Sequence, residues 1–287
     1  MCAIFKRETK SYFTSMIGYV LIAVLLAFTG LYFGANNLIY GSPDFASTMN
    51  NTIIVLLFVL PALTMRSFAD ERRNKTDQLL LTSPVSIPGI VFGKYLAQMV
   101  IFCVPVLVAC VMPIILGRFG KVSMVSAYSA ILAYVLLGAA CIAIGTYISA
   151  LTENQILAYL GTFGALLVCY LMEGIKGLFT AGNTMALIVF AVLLAVIALI
   201  IGLACKSLTI GCGVFCGGAV ILVILFKLRA AWLLTAFNAI LSALALFRPF
   251  QNFVGGMFDA TGIIYYLSVI VLFLFLTGQA LEKRRWN

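Results

Sequence analysis

The stretch RSFADERRNKTDQLLLTSPVS, Arg66–Ser86, is a polar island between two apolar stretches. Only 9% of the chain is charged, yet Asp70, Glu71, Arg72, Arg73, Lys75 and Asp77 crowd into this island, with Arg66 just before them and Lys94 just after it. Charge gathered into one loop of an otherwise apolar protein presents that loop to something soluble.

On either side the chain is strongly apolar. Hydrophobic residues make up 64% of it and the mean hydropathy is +1.16, which excludes an ordinary soluble domain, where about 45–50% would be expected. Apolar runs approaching or exceeding the roughly 20 residues of a spanning helix fall at 16–39, 51–65, 88–117, 124–151, 155–172, 184–204, 208–226 and 261–281, the second being short. The sequence therefore predicts an all-α, polytopic transmembrane bundle of eight spans, forming one domain over 1–287. The first run follows a basic segment but is longer than a signal-peptide core and has no small-x-small cleavage site, so it reads as a retained helix.

The formal charge of +9 follows membrane orientation and not nucleic-acid binding. With eight spans and a cytoplasmic N-terminus, twelve of the 18 basic residues fall inside: Lys6, Arg7, Lys10, Arg66, Arg72, Arg73, Lys75, Lys94, Lys206, Lys283, Arg284 and Arg285. Arg118, Lys121, Lys176, Lys227, Arg229 and Arg248 fall outside. Both termini are then cytoplasmic, and 227–260, interrupted by Asn238, Arg248 and Asp259, reads as an extracytoplasmic or re-entrant segment.

Residues 1–15 read as an amphipathic interfacial helix, with Phe5, Tyr12 and Met16 on one face and Lys6 and Lys10 on another. Pro105 and Pro113 mark kink points in the long run 88–117. Cys141, Gly145 and Ser149 form a small-residue stripe, as do Gly213 and Gly217, and plain intramolecular packing explains either better than a dimer interface does. Glu173 and Lys176, at i and i+3, pair locally. Eight cysteines scattered through apolar helices, with no histidine anywhere, read as small buried hydrophobes and give no metal or redox site.

Enzymatic motifs are missing. Gly89–Tyr95 (GIVFGKY) has the wrong spacing for a phosphate loop and no hydroxyl after its lysine, and there is no HExxH or GxSxG. Acidic residues sit almost wholly at span ends, which counts against an ion-coupled carrier.

Asp70-Glu71-Arg72-Arg73, then Thr76, Leu79-Leu80 and Ser83-Pro84-Val85, resemble the cytoplasmic segment before the third helix of ABC-2 type transporter permeases. Leu151–Gln155 (LTENQ), Phe250–Asp259 (FQNFVGGMFD), Tyr265-Tyr266 and Glu282–Trp286 (EKRRW) resemble the gliding-motility-type branch of that family. The resemblance covers most of the chain and is weakest over 175–245. It implies a type V exporter-like fold with six core helices, so the two further runs within 184–226 depart from it.

The resemblance also implies a mechanism. Two permease-fold subunits, identical or related, sit on separate P-loop ATPases, which bind ATP and magnesium; this chain holds no cofactor and is no enzyme. The 66–86 segment, as a coupling helix from Phe68 to Leu81, and the N-terminal helix would meet the ATPase, through Phe68, Asp70, Glu71, Arg72, Arg73, Thr76, Leu79 and Leu80. An exporter in a bacterial plasma membrane, with a membrane-anchored extracytoplasmic companion, is the expectation. Alternatives are a mechanotransmitting subunit that moves no substrate and, less favoured, a secondary carrier or channel.

Overall fold

The computed structural model describes residues 2–76, 86–179, 239, 242 and 244–286. Among them the secondary structure is helical, with no strand. The elements are α1 (Cys2–Thr14), α2 (Met16–Tyr32) running into a π-helical segment (Phe33–Ile39), α3 (Phe45–Thr64), α4 (Ala69–Arg73), α5 (Ile87–Ala109), α6 (Met112–Leu116), α7 (Met124–Leu151), α8 (Gln155–Phe179), α9 (Arg248–Val254) and α10 (Ala260–Trp286).

Among the described residues six helical stretches are long and apolar enough to cross a membrane: Met16–Ile39, Phe45–Arg73, Ile87–Leu116, Met124–Leu151, Gln155–Met172 and Ala260–Arg284. The short run at 51–65 thus belongs to a longer helix that starts at Phe45, where the Asp44 side chain accepts from the Ala46 N–H. The runs at 184–204 and 208–226, and with them Lys206, Gly213 and Gly217, lie outside the described residues.

By its internal contacts the chain divides into two compact units. Met1–Val168 with Phe247–Asn287 makes the first, and Cys169–Leu246, most of it outside the described residues, the second. In the first unit α3 and α7 are the most buried spans, with α2, α5, α9 and α10 packed around them. Small residues make that possible. A Cβ at Gly145 would run into the Thr64 side chain, and one at Gly138 into the Phe102 ring, so α7 lies close on α3 and α5. Cys141, between them, is fully buried. The Cys141–Gly145–Ser149 stripe is an intramolecular packing face.

The run 88–117 is interrupted as the prolines suggested. Pro113 sits at the start of α6, and in a continued helix its ring would strike the Ala109 carbonyl, where α5 ends. Pro105 lies within α5.

Two sequence expectations change. The helix expected to run unbroken from Phe68 to Leu81 is interrupted: the stretch Ala69–Arg73 ends at Asn74, and Lys75 takes φ 55°, a left-handed conformation that no helix continues through, while 77–81 lie outside the described residues. Met16 does not share a face with Phe5 and Tyr12, because extended backbone at Ser15 (ψ 141°) breaks the helix; Met16 opens α2 and is 82% exposed. The inward face of α1 carries Ile4, Glu8 and Tyr12, packed on α5.

One end of the first unit gathers α1, the 65–76 segment, the start of α5, the α7–α8 turn and the last turn of α10, whose Arg284 reaches Glu153 at 3.4 Å. At the opposite end Gln251 of α9 bonds Asn50, and Ser126 and Ser129 bond the Val254 and Phe253 carbonyls. The two ends of the chain therefore meet at the same end of the bundle. Of the 227–260 segment, residues 239, 242 and 244–260 are described, and α9 lies at the opposite end.

Candidate functional site

The site forms where four chain segments converge beneath the polar island. Lys94, two turns into α5, is the sole charged residue of the 88–117 run and is only 2% exposed. A buried ammonium must be paired. Its Nζ donates to the Ser67 carbonyl at 2.9 Å, meets Glu71 Oε1 at 2.9 Å and Glu8 Oε1 at 3.3 Å, and lies 5.2 Å from the centre of the Phe68 ring.

Arg7 closes the arrangement. Its Nη2 donates to Glu8 Oε1 at 2.7 Å and to Glu71 Oε1 at 3.0 Å. Two cations and two carboxylates alternate in a ring of zero net charge, joining α1 (Arg7, Glu8), α4 (Glu71) and α5 (Lys94). The Glu8 hydrogen bond above all, with the charges of Glu8 and Glu71, raises the Arg7 pKa against the opposing effect of burial. Tyr12, one turn on from Glu8, donates to the Leu63 carbonyl at 3.2 Å, and burial raises its pKa.

A second set of bonds clamps the island to α7 and α8. The fully buried Ser149 hydroxyl accepts from the Phe68 and Ala69 N–H groups at 3.1 and 3.2 Å and donates to the Met65 carbonyl at 3.2 Å. One hydroxyl thus satisfies the turn that leads from α3 into α4. Arg72 donates to the Ala150 carbonyl at 3.1 Å and to Glu153 at 3.0 Å, while Gln155 donates to Asp70 at 2.7 Å. Asp70 also takes Asn74 and a 3.5 Å contact from Arg66.

These bonds divide the residues expected to meet a partner. Phe68 is buried, and Asp70, Glu71 and Arg72 are committed to partners within the chain. Arg73, Asn74, Lys75 and Thr76 are exposed. Leu79 and Leu80 lie outside the described residues, as do Asp77 and Ser83–Val85. The side chains of Glu173 and Lys176 are likewise not described.

Sequence reasoning missed Lys94 as a buried anchor, Glu8 as its partner, and the capping role of Ser149. The signal for Lys94 was its isolation in an apolar run. Ser149 was visible only as the last member of a small-residue stripe, and Glu153 only as part of a polar turn.

An all-helical, multi-pass membrane protein with a polar junction at one end of its bundle is the class this geometry defines. Residues 6–175 match the family described as ABC-2 family transporter protein, more than half of the chain, and the chain belongs to that family. No curated protein and no solved structure matches it significantly.

Proposed function

We propose that this chain is the membrane-spanning permease subunit of an ATP-driven ABC-2 exporter, one of two permease-fold subunits mounted on separate P-loop ATPases that carry ATP and magnesium. The observation that supports this reading best is the bonded junction itself. Exposed Arg73–Thr76 directly follows a segment, 65–72, that is fastened to α7 by Ser149 and Arg72, to α5 by Lys94 and to α1 by the Arg7–Glu71 pair. A displacement imposed on this surface by a soluble partner would reach the spans α5 and α7 and the helix α1 through short polar bonds and not through side-chain slack.

Docking and transmission then fall to different residues. Arg73–Thr76 with Leu79 and Leu80 would meet the ATPase, the leucines as apolar anchors worth about 2 kcal/mol or more each and the exposed charges less. Glu71, turned inward onto Lys94, would carry motion inward. The family membership favours an ATPase partner in general terms; the gliding-motility-type branch, an extracytoplasmic companion, cytoplasmic termini and eight spans, with Lys206 inside and Asn252 outside, complete the proposal.

The test is co-expression with the ATPase, pull-down, and ATP turnover in reconstituted membranes. Leu79→Ala with Leu80→Ala should weaken assembly, whereas Glu71→Gln, which keeps the shape of the side chain on Lys94, should leave the complex assembled but lower coupled turnover. The chain purified by itself should hydrolyse no ATP. If both variants match wild type in assembly and in turnover, the segment is a solvated connector. Labelling of single cysteines at Ser207 and Asn252 checks the topology, and labelling of Ser207 from outside intact cells would rule out eight spans.

A further inference from the structure

A cavity of about 580 Å³ opens between α1, the 66–76 segment and α5. Its lining is unusual for the end of an apolar bundle: Arg7, Arg66 and Lys94 with Glu8, Asp70 and Glu71, three charges of each sign, together with Ser15 and Ser67.

We propose that this cavity is a binding site for a phosphoethanolamine group, an ammonium and a phosphate joined by two carbons. Charge balance is the first reason. A wall with no net charge opposes a bare anion or a bare cation but matches a zwitterion.

Unused hydrogen-bonding capacity is the second. The ring engages only Oε1 of Glu8 and Oε1 of Glu71, leaving Oε2 of each without a hydrogen bond among the described residues. Arg7 engages both carboxylates through Nη2 alone, so its Nη1 and Nε hydrogens are free to donate. The Ser67 hydroxyl is unpartnered although its residue is only 3% exposed, and the Ser15 hydroxyl is unpartnered too. Buried polar atoms without partners are costly unless a ligand or water completes them. The carboxylate oxygens suit the three N–H groups of an ammonium; the guanidinium and hydroxyl donors suit a phosphate.

Depth is the third reason, and it indicates where the group would come from. Ser15 immediately precedes the first spanning helix, Arg66 and Ser67 follow the end of α3, and Lys94 lies two turns into α5. The cavity is therefore level with the ends of three spans, where headgroups of the adjoining leaflet lie. Soluble phosphoethanolamine has the same chemistry, and the experiment separates the two sources. The inference stands apart from the transport reading, because nothing in it requires that cargo be moved.

The full chain would be reconstituted in nanodiscs with equimolar phosphatidylethanolamine, phosphatidylcholine and phosphatidylglycerol, and the retained lipid read by native mass spectrometry. Phosphatidylethanolamine should be retained about tenfold over phosphatidylcholine, whose quaternary amine cannot donate to the carboxylates, and over phosphatidylglycerol, which lacks the cation. Ser15→Ala with Ser67→Ala removes two donors to the phosphate, outside the ion-pair ring, and should lower phosphatidylethanolamine retention severalfold. A photoreactive phosphatidylethanolamine on wild-type protein should label peptides of α1 and the 66–76 segment, a readout that does not depend on the variant folding. Calorimetric titration of soluble phosphoethanolamine into lipid-free protein assigns the source: saturable binding lost in the double variant indicates the soluble compound, and its absence alongside the lipid preference indicates the headgroup. Equal retention of all three lipids with no soluble binding, a preference for phosphatidylglycerol, or phosphatidylethanolamine retention unchanged in the double variant would overturn the assignment.

Discussion

Replacing Lys94 by Met keeps the aliphatic stem against Phe68 and deletes only the charge. What remains is Arg7 alone between two carboxylates whose side chains are 15% and 18% exposed, a net charge of −1 where the native ring has none. Removing one member of a buried ion pair costs about 3–5 kcal/mol. Because Arg7 still reaches both carboxylates, at 2.7 and 3.0 Å, the expected loss is about 2–3 kcal/mol, with the lost bond to the Ser67 carbonyl included. Thiol labelling can read it. With fully buried Cys141 as the sole remaining cysteine, its labelling rate tracks the opening equilibrium, and about 2–3 kcal/mol accelerates it roughly thirty- to hundredfold. Adding Glu8→Gln restores neutrality, since Arg7 and Glu71 then pair alone, so the double variant should label more slowly than Lys94→Met by itself. Acceleration of less than about threefold in Lys94→Met, or a double variant whose losses simply add, would refute the ring as an energetic unit.

Three further predictions follow from the same contacts. Ser149→Ala strips the partners from the Phe68 and Ala69 N–H groups and should cost about 1–3 kcal/mol, read by faster proteolysis within 66–86, whereas Ser149→Thr should retain much of the bond. Gly145→Val should destabilise by about 1–3 kcal/mol in the same Cys141 assay, because its side chain must displace Thr64; pairing it with Thr64→Ala should recover part of the loss. Hydrogen bonds from Asn252 first, and then from Thr261, lower the Asp259 pKa, so their contribution to the start of α10 is present above the unfolded carboxylate range and is lost as pH falls through the depressed value. Asn252→Ala should move the Asp259 titration, followed by carboxyl NMR, back up toward the ordinary carboxylate range.

Much of the architecture was legible because spanning helices obey one-dimensional rules. Length and hydropathy placed the spans at 16–39, 88–117, 124–151, 155–172 and 261–281, and the break ahead of Pro113 follows from local sterics. The small residues of α7 announced close packing because lipid offers little other means of bringing backbones together. The charge excess of 66–86 marked the end of the bundle at which the candidate site forms. The fate of each charge could not be read there. Glu71 and Arg72 look alike in a string of exposed charges, yet Glu71 is bound to a lysine 23 positions later and Arg72 to a carbonyl 78 positions later. The expected helix is broken at Lys75 for the same reason: helical propensity favours continuation, but Ser149 and the Ala150 carbonyl fix the turn at 65–72, and the chain leaves the helix at Lys75. Sequence alone determined which of the described stretches are long and apolar enough to enter a membrane, since burial in lipid depends on the run of side chains itself. Which charges stay outside as a contact surface, and which are drawn in to lock α1, α4 and α5 together, was decided by the tertiary structure, because the energy of an ion pair depends on a separation of a few ångströms between residues far apart in the chain.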